Sequence, residues 1–84
     1  MDARMRAIHL AAGEAYGREA TCGEKVRHPT EERAAGAARS MNRSPKSRHD
    51  VEPYPCFFCG EWHTGRVMSP EEYERFRRVV SDAV

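Results

Sequence analysis

The segment Cys56-Phe57-Phe58-Cys59-Gly60-Glu61-Trp62-His63 carries the densest chemistry in the chain. Two thiols separated by two residues can reach one metal ion from a single tight turn. Gly60 stands where such a turn usually needs positive φ, which glycine adopts without steric cost. His63 follows close enough to reach the same ion. Thiolate sulfur and imidazole nitrogen are zinc donors, so these three side chains supply three corners of a tetrahedral site. The fourth ligand must come from elsewhere. Cys22 is the first choice, because a thiolate binds zinc more strongly than a neutral imidazole in a thiol-rich site, and this cysteine has no other evident role. His49 lies just before the knuckle and closes a shorter loop. His28, beside the bend of Pro29, and His9 complete the alternatives.

The same donor set could hold an iron–sulfur cluster. A disulfide framework fits less well, because the chain has an odd number of cysteines, three. Thiols held by a metal in a reducing cytoplasm are the better expectation. Catalysis is not expected. Pro55-Cys56-x2-Cys59 matches half of a zinc-deaminase signature, but the His-x-Glu half is missing, and a fourth protein ligand closes the metal to water.

These ligands need elements to hold them. Asp2 can cap a first helix running to about Glu19, with Met5, Ile8, Ala12 and Ala15 or Tyr16 on one face. Gly13 and Gly17 each weaken it by about 1 kcal/mol relative to alanine. Residues 20–29 read as a turn and a short extended piece around Cys22. Thr30 then caps a second helix, Glu31 to about Asn42, with acids in its first turn. Its inner face is Ala34, Ala38 and Met41. Ser44 to Pro53 reads as a mobile loop, and Tyr54 to Arg66 as two short strands around the knuckle. Ser69-Pro70-Glu71-Glu72 is the strongest helix start in the chain. Tyr73, Phe76 and Val80 follow on one face, and Glu71–Arg75 and Glu74–Arg78 are spaced to pair on another.

The expectation is one small α+β zinc finger over residues 1–84: a short β-hairpin and zinc knuckle with about three flanking helices. Residues 1–20 form the first helix, 21–68 the zinc-binding core and 69–84 the last helix. Large apolar side chains are few in these 84 residues. A core that thin is one that a structural metal can complete, since metal binding adds folding free energy directly. No apolar run suggests a signal peptide or a membrane span, so a cytoplasmic protein without a membrane partner is expected.

The formal charge is +1 overall but unevenly spread. Residues 25–49 carry +5, and both flanking segments are mildly negative. Lys25, Arg27, Arg39, Arg43, Lys46 and Arg48, together with Arg66, are the candidates for phosphate contact. Trp62 and Tyr54 could stack on bases, but a small domain needs its large aromatics inside, and core is the preferred reading. Phe57 and Phe58 sit within the Cys-x2-Cys loop, where at least one is expected on the surface as a protein contact.

From Cys22-Gly-Glu-Lys25 through Thr30-Glu-Glu to Tyr54-Pro-Cys56-Phe-Phe-Cys59-Gly-Glu-Trp62-His63-Thr-Gly65-Arg66, the chain resembles a group of small zinc-finger proteins of actinobacteria and their phages. That group shares the pattern Tyr-x-Cys-x2-Cys-Gly-x-Trp-His-x-Gly. The resemblance covers about residues 22–66 and implies Cys22, Cys56, Cys59 and His63 as the ligands of one zinc ion. It also implies a phage-encoded protein of the host bacterial cytoplasm. The functional expectation is a non-enzymatic, regulatory zinc-finger module that binds nucleic acid. The alternative is a factor that docks on a host protein and modulates it, with the first helix offering a face for self-association.

Overall fold

The computed structural model of the chain describes residues 1–82. Asp2 caps α1 (Ala3–Tyr16), its carboxylate accepting from the Met5 N–H at 2.8 Å. The helix stops at Tyr16 rather than Glu19, because Gly17 turns the chain at φ +92°. A four-residue helix, α2 (Arg18–Thr21), then folds back on α1. The Thr21 hydroxyl donates to the Gly13 carbonyl at 3.1 Å, and a Cβ on Gly13 would stand 2.9 Å from Thr21 Cγ2. Gly13, expected only to weaken the helix, is what lets α2 approach this closely. Ala20 and Thr21 therefore belong to a helix and not to the expected turn.

Thr30 caps α3 (Glu31–Arg43), accepting from the Arg33 N–H at 3.2 Å. Ala34 and Ala38 are buried as expected, but Met41 is 46% exposed. The end of α3 is anchored by Asn42 instead. Its amide donates to the Val51 carbonyl at 3.0 Å and accepts from the Val51 N–H at 2.8 Å. This side chain supplies Val51 with the hydrogen bonds a neighbouring strand would give. Val51 to Pro53 thereby join β1 (Val51–Pro55), and the expected loop shortens to residues 44–50.

β1 pairs antiparallel with β2 (Trp62–Arg66), with Tyr54 opposite His63 and Glu52 opposite Gly65. Pro53 has no N–H to give, which an edge strand tolerates. On the far side of β2, His28 makes an isolated bridge to Trp62, with bonds of 2.8 and 2.9 Å. β2 is thus held from both sides. Glu52 and Tyr54 face α1, where the His9 ring stacks on Tyr54 at 6.2 Å; Thr64 meets Met41 of α3.

α4 (Pro70–Asp82) opens with a capping box. The Glu72 N–H donates to Ser69 Oγ at 3.1 Å, and the Ser69 N–H donates to Glu72 Oε1 at 3.0 Å. Phe76, with Tyr73 and Val80 beside it, packs on Ile8 and Ala12 of α1 to form the main apolar cluster. Glu74 pairs with Arg78 at 3.3 Å and also with Arg77. Glu71–Arg75 does not pair among the described residues; Arg75 lies over the Phe76 ring at 4.9 Å. The result is a small α+β fold, a two-stranded hairpin with four helices, the one beyond expectation being α2. No helix among the described residues is long and apolar enough to cross a membrane.

Glu72 ties three elements together. It accepts from Arg66 of β2 and from the Tyr16 hydroxyl of α1, both at 2.6 Å. The Arg66 guanidinium, helped by Tyr16 and Ser69, holds its carboxyl well below the usual carboxylate range. A depressed carboxylate stabilises the fold above its unfolded pKa, and that contribution fades as pH falls through the folded value. Glu72→Gln is expected to cost about 1 kcal/mol at neutral pH, the upper end for a solvent-screened pair. The cost should shrink below about pH 4, where the unfolded carboxyl is already protonated. Thermal melts of both metal-loaded proteins check the cost between about pH 7 and pH 5, above the range where protonated ligands release the metal, and there the difference should be whole; equal melting temperatures at pH 7 contradict it.

Candidate metal centre

Each ligand candidate reaches the centre through a local device. Cys56 and Cys59 flank a turn closed by the Cys56 N–H to the Glu61 carbonyl at 2.8 Å and the Gly60 N–H to the Cys56 carbonyl at 3.2 Å. Gly60 has φ +75°, the left-handed conformation expected of it. Cys22 caps α2, its N–H donating to the Arg18 carbonyl at 2.8 Å. Gly23 follows at φ +41°, where a Cβ would stand 2.6 Å from the Glu19 carbonyl oxygen. Only a glycine lets the chain leave the helix there while Cys22 faces inward.

Cys22, Cys56, Cys59 and His63 converge, with one ligand atom of each lying within 4.8 Å of all the others. Cys22 is 2% exposed, Cys56 3% and His63 0%, and Cys59 is half-buried. A tetrahedral zinc site with sulfur and nitrogen ligands has edges of about 3.5 to 3.8 Å. The Cys59 Sγ–His63 Nε2 distance is 3.4 Å, and the widest separation needs to close by only about 1 Å. The four residues can hold one metal ion, and their donor chemistry suits zinc.

The hydrogen bonds around the centre prepare it for a cation. His63 Nδ1 lies 2.7 Å from the Val26 carbonyl oxygen. A carbonyl only accepts, so Nδ1 carries the proton and Nε2 keeps its lone pair on the side of the cysteines. Burial pushes the Cys56 thiol up, but the N–H groups of Cys59 and Phe58, both 3.4 Å from its sulfur, outweigh that and lower it. Burial leaves the Cys59 thiol raised, although the Glu61 N–H opposes it. Three thiols this close cannot all ionise without a cation between them, which is what a metal supplies.

Tyr54 closes one side. Its hydroxyl donates to the Thr21 carbonyl, one residue before Cys22. Burial, then the charges of Cys56, Cys22 and Cys59, push its pKa up to about 12, so it remains a donor. Trp62 is buried, with Arg6 over its ring at 5.7 Å, in agreement with a core role rather than base stacking.

The other histidines lie elsewhere. His49 is exposed on the loop, its Nδ1 3.2 Å from the Asp50 carbonyl. His28 contributes its backbone, through the bridge to Trp62. His9 is buried against Tyr54 and Glu52. The structure thus brings Cys22 to the knuckle and leaves the three alternatives aside. The second ring of the site, the Val26 carbonyl and the His28 backbone, had no sequence signal, because any residue provides a carbonyl and an N–H.

The candidate contact residues divide. Arg39 and Arg43 are exposed on α3, Lys46 and Arg48 on the following loop, and Arg27 on the segment beside β2. Lys25 lies over the Tyr54 ring at 5.6 Å. Arg66 differs, since both its terminal nitrogens bind Glu72, at 2.6 and 3.0 Å. Phe57 is 47% exposed, as expected of one of the pair. Phe58 is half-buried edge-to-face against it, with Arg18 over its ring at 5.0 Å.

No protein-family model matches the chain, and searches of curated proteins and of solved structures find no match either.

Proposed function

We propose that the chain is a zinc-stabilised, non-enzymatic module that binds nucleic acid through the outer side of α3 and the loop after it. Charge pairing is the observation that carries this reading. Arg66, Arg77 and Arg78 are each neutralised by Glu72 or Glu74. Arg39, Arg43, Lys46 and Arg48 have no ion-pair partner among the described residues, and no acidic residue occurs between positions 33 and 49. Unpaired cations on a helix end and an adjoining serine-rich loop suit a phosphate backbone. Four protein ligands would close the zinc to substrate, so the metal holds shape and does no chemistry.

Fluorescence anisotropy with a labelled DNA duplex and a single strand, over a salt series, tests the reading. About four phosphate contacts predict a log–log salt slope of about −3 to −4 on duplex. The double variant Arg39→Glu/Arg43→Glu should lower affinity about 100-fold at low salt, counting both lost contacts and new repulsion. Absence of binding at low salt, or binding indifferent to salt, sinks the proposal.

Phe57 favours the second reading, docking on a host protein. An apolar ring 47% exposed at the tip of a rigid knuckle is a suitable anchor. Pull-down from a bacterial lysate before and after nuclease treatment separates the two, since a protein partner survives the nuclease.

A further inference from the structure

On the side of the hairpin that carries Tyr54 and Gly65, a cleft of about 430 Å³ opens between β2, α1, α2 and α4. That volume is within the range of small-ligand sites, which are mostly apolar with a few placed polar groups. Ala12, Ala20 and Met68 give this one its apolar walls, and His9 and Tyr54 add aromatic surface, with the Lys25 ammonium 5.6 Å from the Tyr54 ring.

Its charges are nearly settled. Arg66 and Glu72 lie at the cleft and neutralise each other. Lys25 is the remaining cation of the lining, and no carboxylate pairs with it among the described residues. Gly65 makes room for it. A Cβ at Gly65 would stand 2.8 Å from Tyr54 Cε1 and 3.5 Å from the Lys25 ammonium, so a side chain there would crowd both. The wall also holds a buried polar atom without a hydrogen-bond partner, His9 Nε2, with Glu52 Oε1 at 3.7 Å.

We propose that this cleft binds a small organic carboxylate bearing a planar ring, the carboxylate on Lys25 and the ring between Tyr54 and the apolar walls. The proposal does not rest on the nucleic-acid reading, whose cations are on α3 and its loop. One lysine matches one negative charge, and an aromatic and apolar lining suits a ring.

Titration of the metal-loaded full chain with benzoate, followed by amide chemical shifts, tests it, with benzamide and inorganic phosphate as comparison probes. Benzoate is expected to give saturable shifts at Lys25, Tyr54 and Gly65. Benzamide, the neutral isostere, should bind about tenfold more weakly, and Lys25→Gln should weaken benzoate by about the same factor. Ala20 is exposed on α2, so Ala20→Trp should fill the cleft without disturbing the core and abolish the shifts while leaving the rest of the spectrum unchanged. Shifts that rise linearly without saturation overturn the proposal, as does equal binding of benzoate and benzamide. Phosphate acting at the same concentration as benzoate overturns the recognition of a ring.

Discussion

Cys22→Ser is expected to release the metal and unfold the protein. The ligand atoms come from two segments that local structure alone does not join. Cys56, Cys59 and His63 share a hairpin, whereas Cys22 ends a four-residue helix on the far side of the centre. Such a helix is too short to persist by itself. It is held by the Thr21–Gly13 bond, the Tyr54 hydroxyl on Thr21 and, in the proposed holoprotein, the metal. Structural zinc contributes about 10–16 kcal/mol in small fingers, as much as or more than the about 5–15 kcal/mol that holds a typical domain. Removing one of four ligands forfeits most of that and leaves buried thiols facing a hydroxyl. Native mass spectrometry should find one zinc per wild-type chain and none on the variant, and circular dichroism should show lost structure. A chelator added to the wild type should do the same. His49→Ala, which changes an exposed side chain outside the centre, should alter neither stoichiometry nor melting temperature. A serine variant that still carries one zinc and melts like the wild type would disprove the structural-metal reading. Iron and labile sulfide in the wild type would replace zinc with a cluster.

Much of this site was legible because its signals are local. Cys-x2-Cys, the glycine after it and the trailing histidine all act within one turn. Cys22 was legible by chemistry, as the remaining thiol, but nothing in the residues between said how it would arrive. The structure's answer is made of backbone: His28 pairs with Trp62, and the Val26 carbonyl accepts a hydrogen bond from His63 Nδ1. Caps were similarly plain, with Asp2, Thr30 and Ser69 each doing what their side chains allow. Helix continuity was harder. Gly13 and Gly17 look alike in sequence, yet one remains helical to admit α2 and the other breaks the helix. The difference lies in what packs against them. Asn42 is the same kind of case: a polar residue near a helix end becomes a strand partner only because β1 passes beside it. Met41, beside it, is left 46% exposed, its sulfur accepting from the Thr64 hydroxyl.

The two halves of the molecule have different sources of stability. Around the centre, the buried side chains are cysteines, a histidine and a tryptophan; away from it, Ile8, Ala12 and Phe76 form the apolar cluster between α1 and α4. Phe76 is 2% exposed and meets Tyr16 edge-on at 5.5 Å. Phe76→Ala should therefore cost about 4 kcal/mol, from lost transfer energy and the cavity left behind. For a domain of this size that lowers the melting temperature by about 20 °C. Val79→Ala, on the same helix but 51% exposed, should change stability by less than about 0.5 kcal/mol. The halves are joined by the Thr21 hydroxyl on the Gly13 carbonyl, by Glu72 on Arg66 and by the Met68 N–H on Glu52 at 2.9 Å. Those ties predict that the Phe76 variant still melts in one transition and still binds one zinc below it. Two separated transitions would mean that the metal half folds without α4, and a shift of only a few degrees would mean that Phe76 is not the keystone of the apolar half.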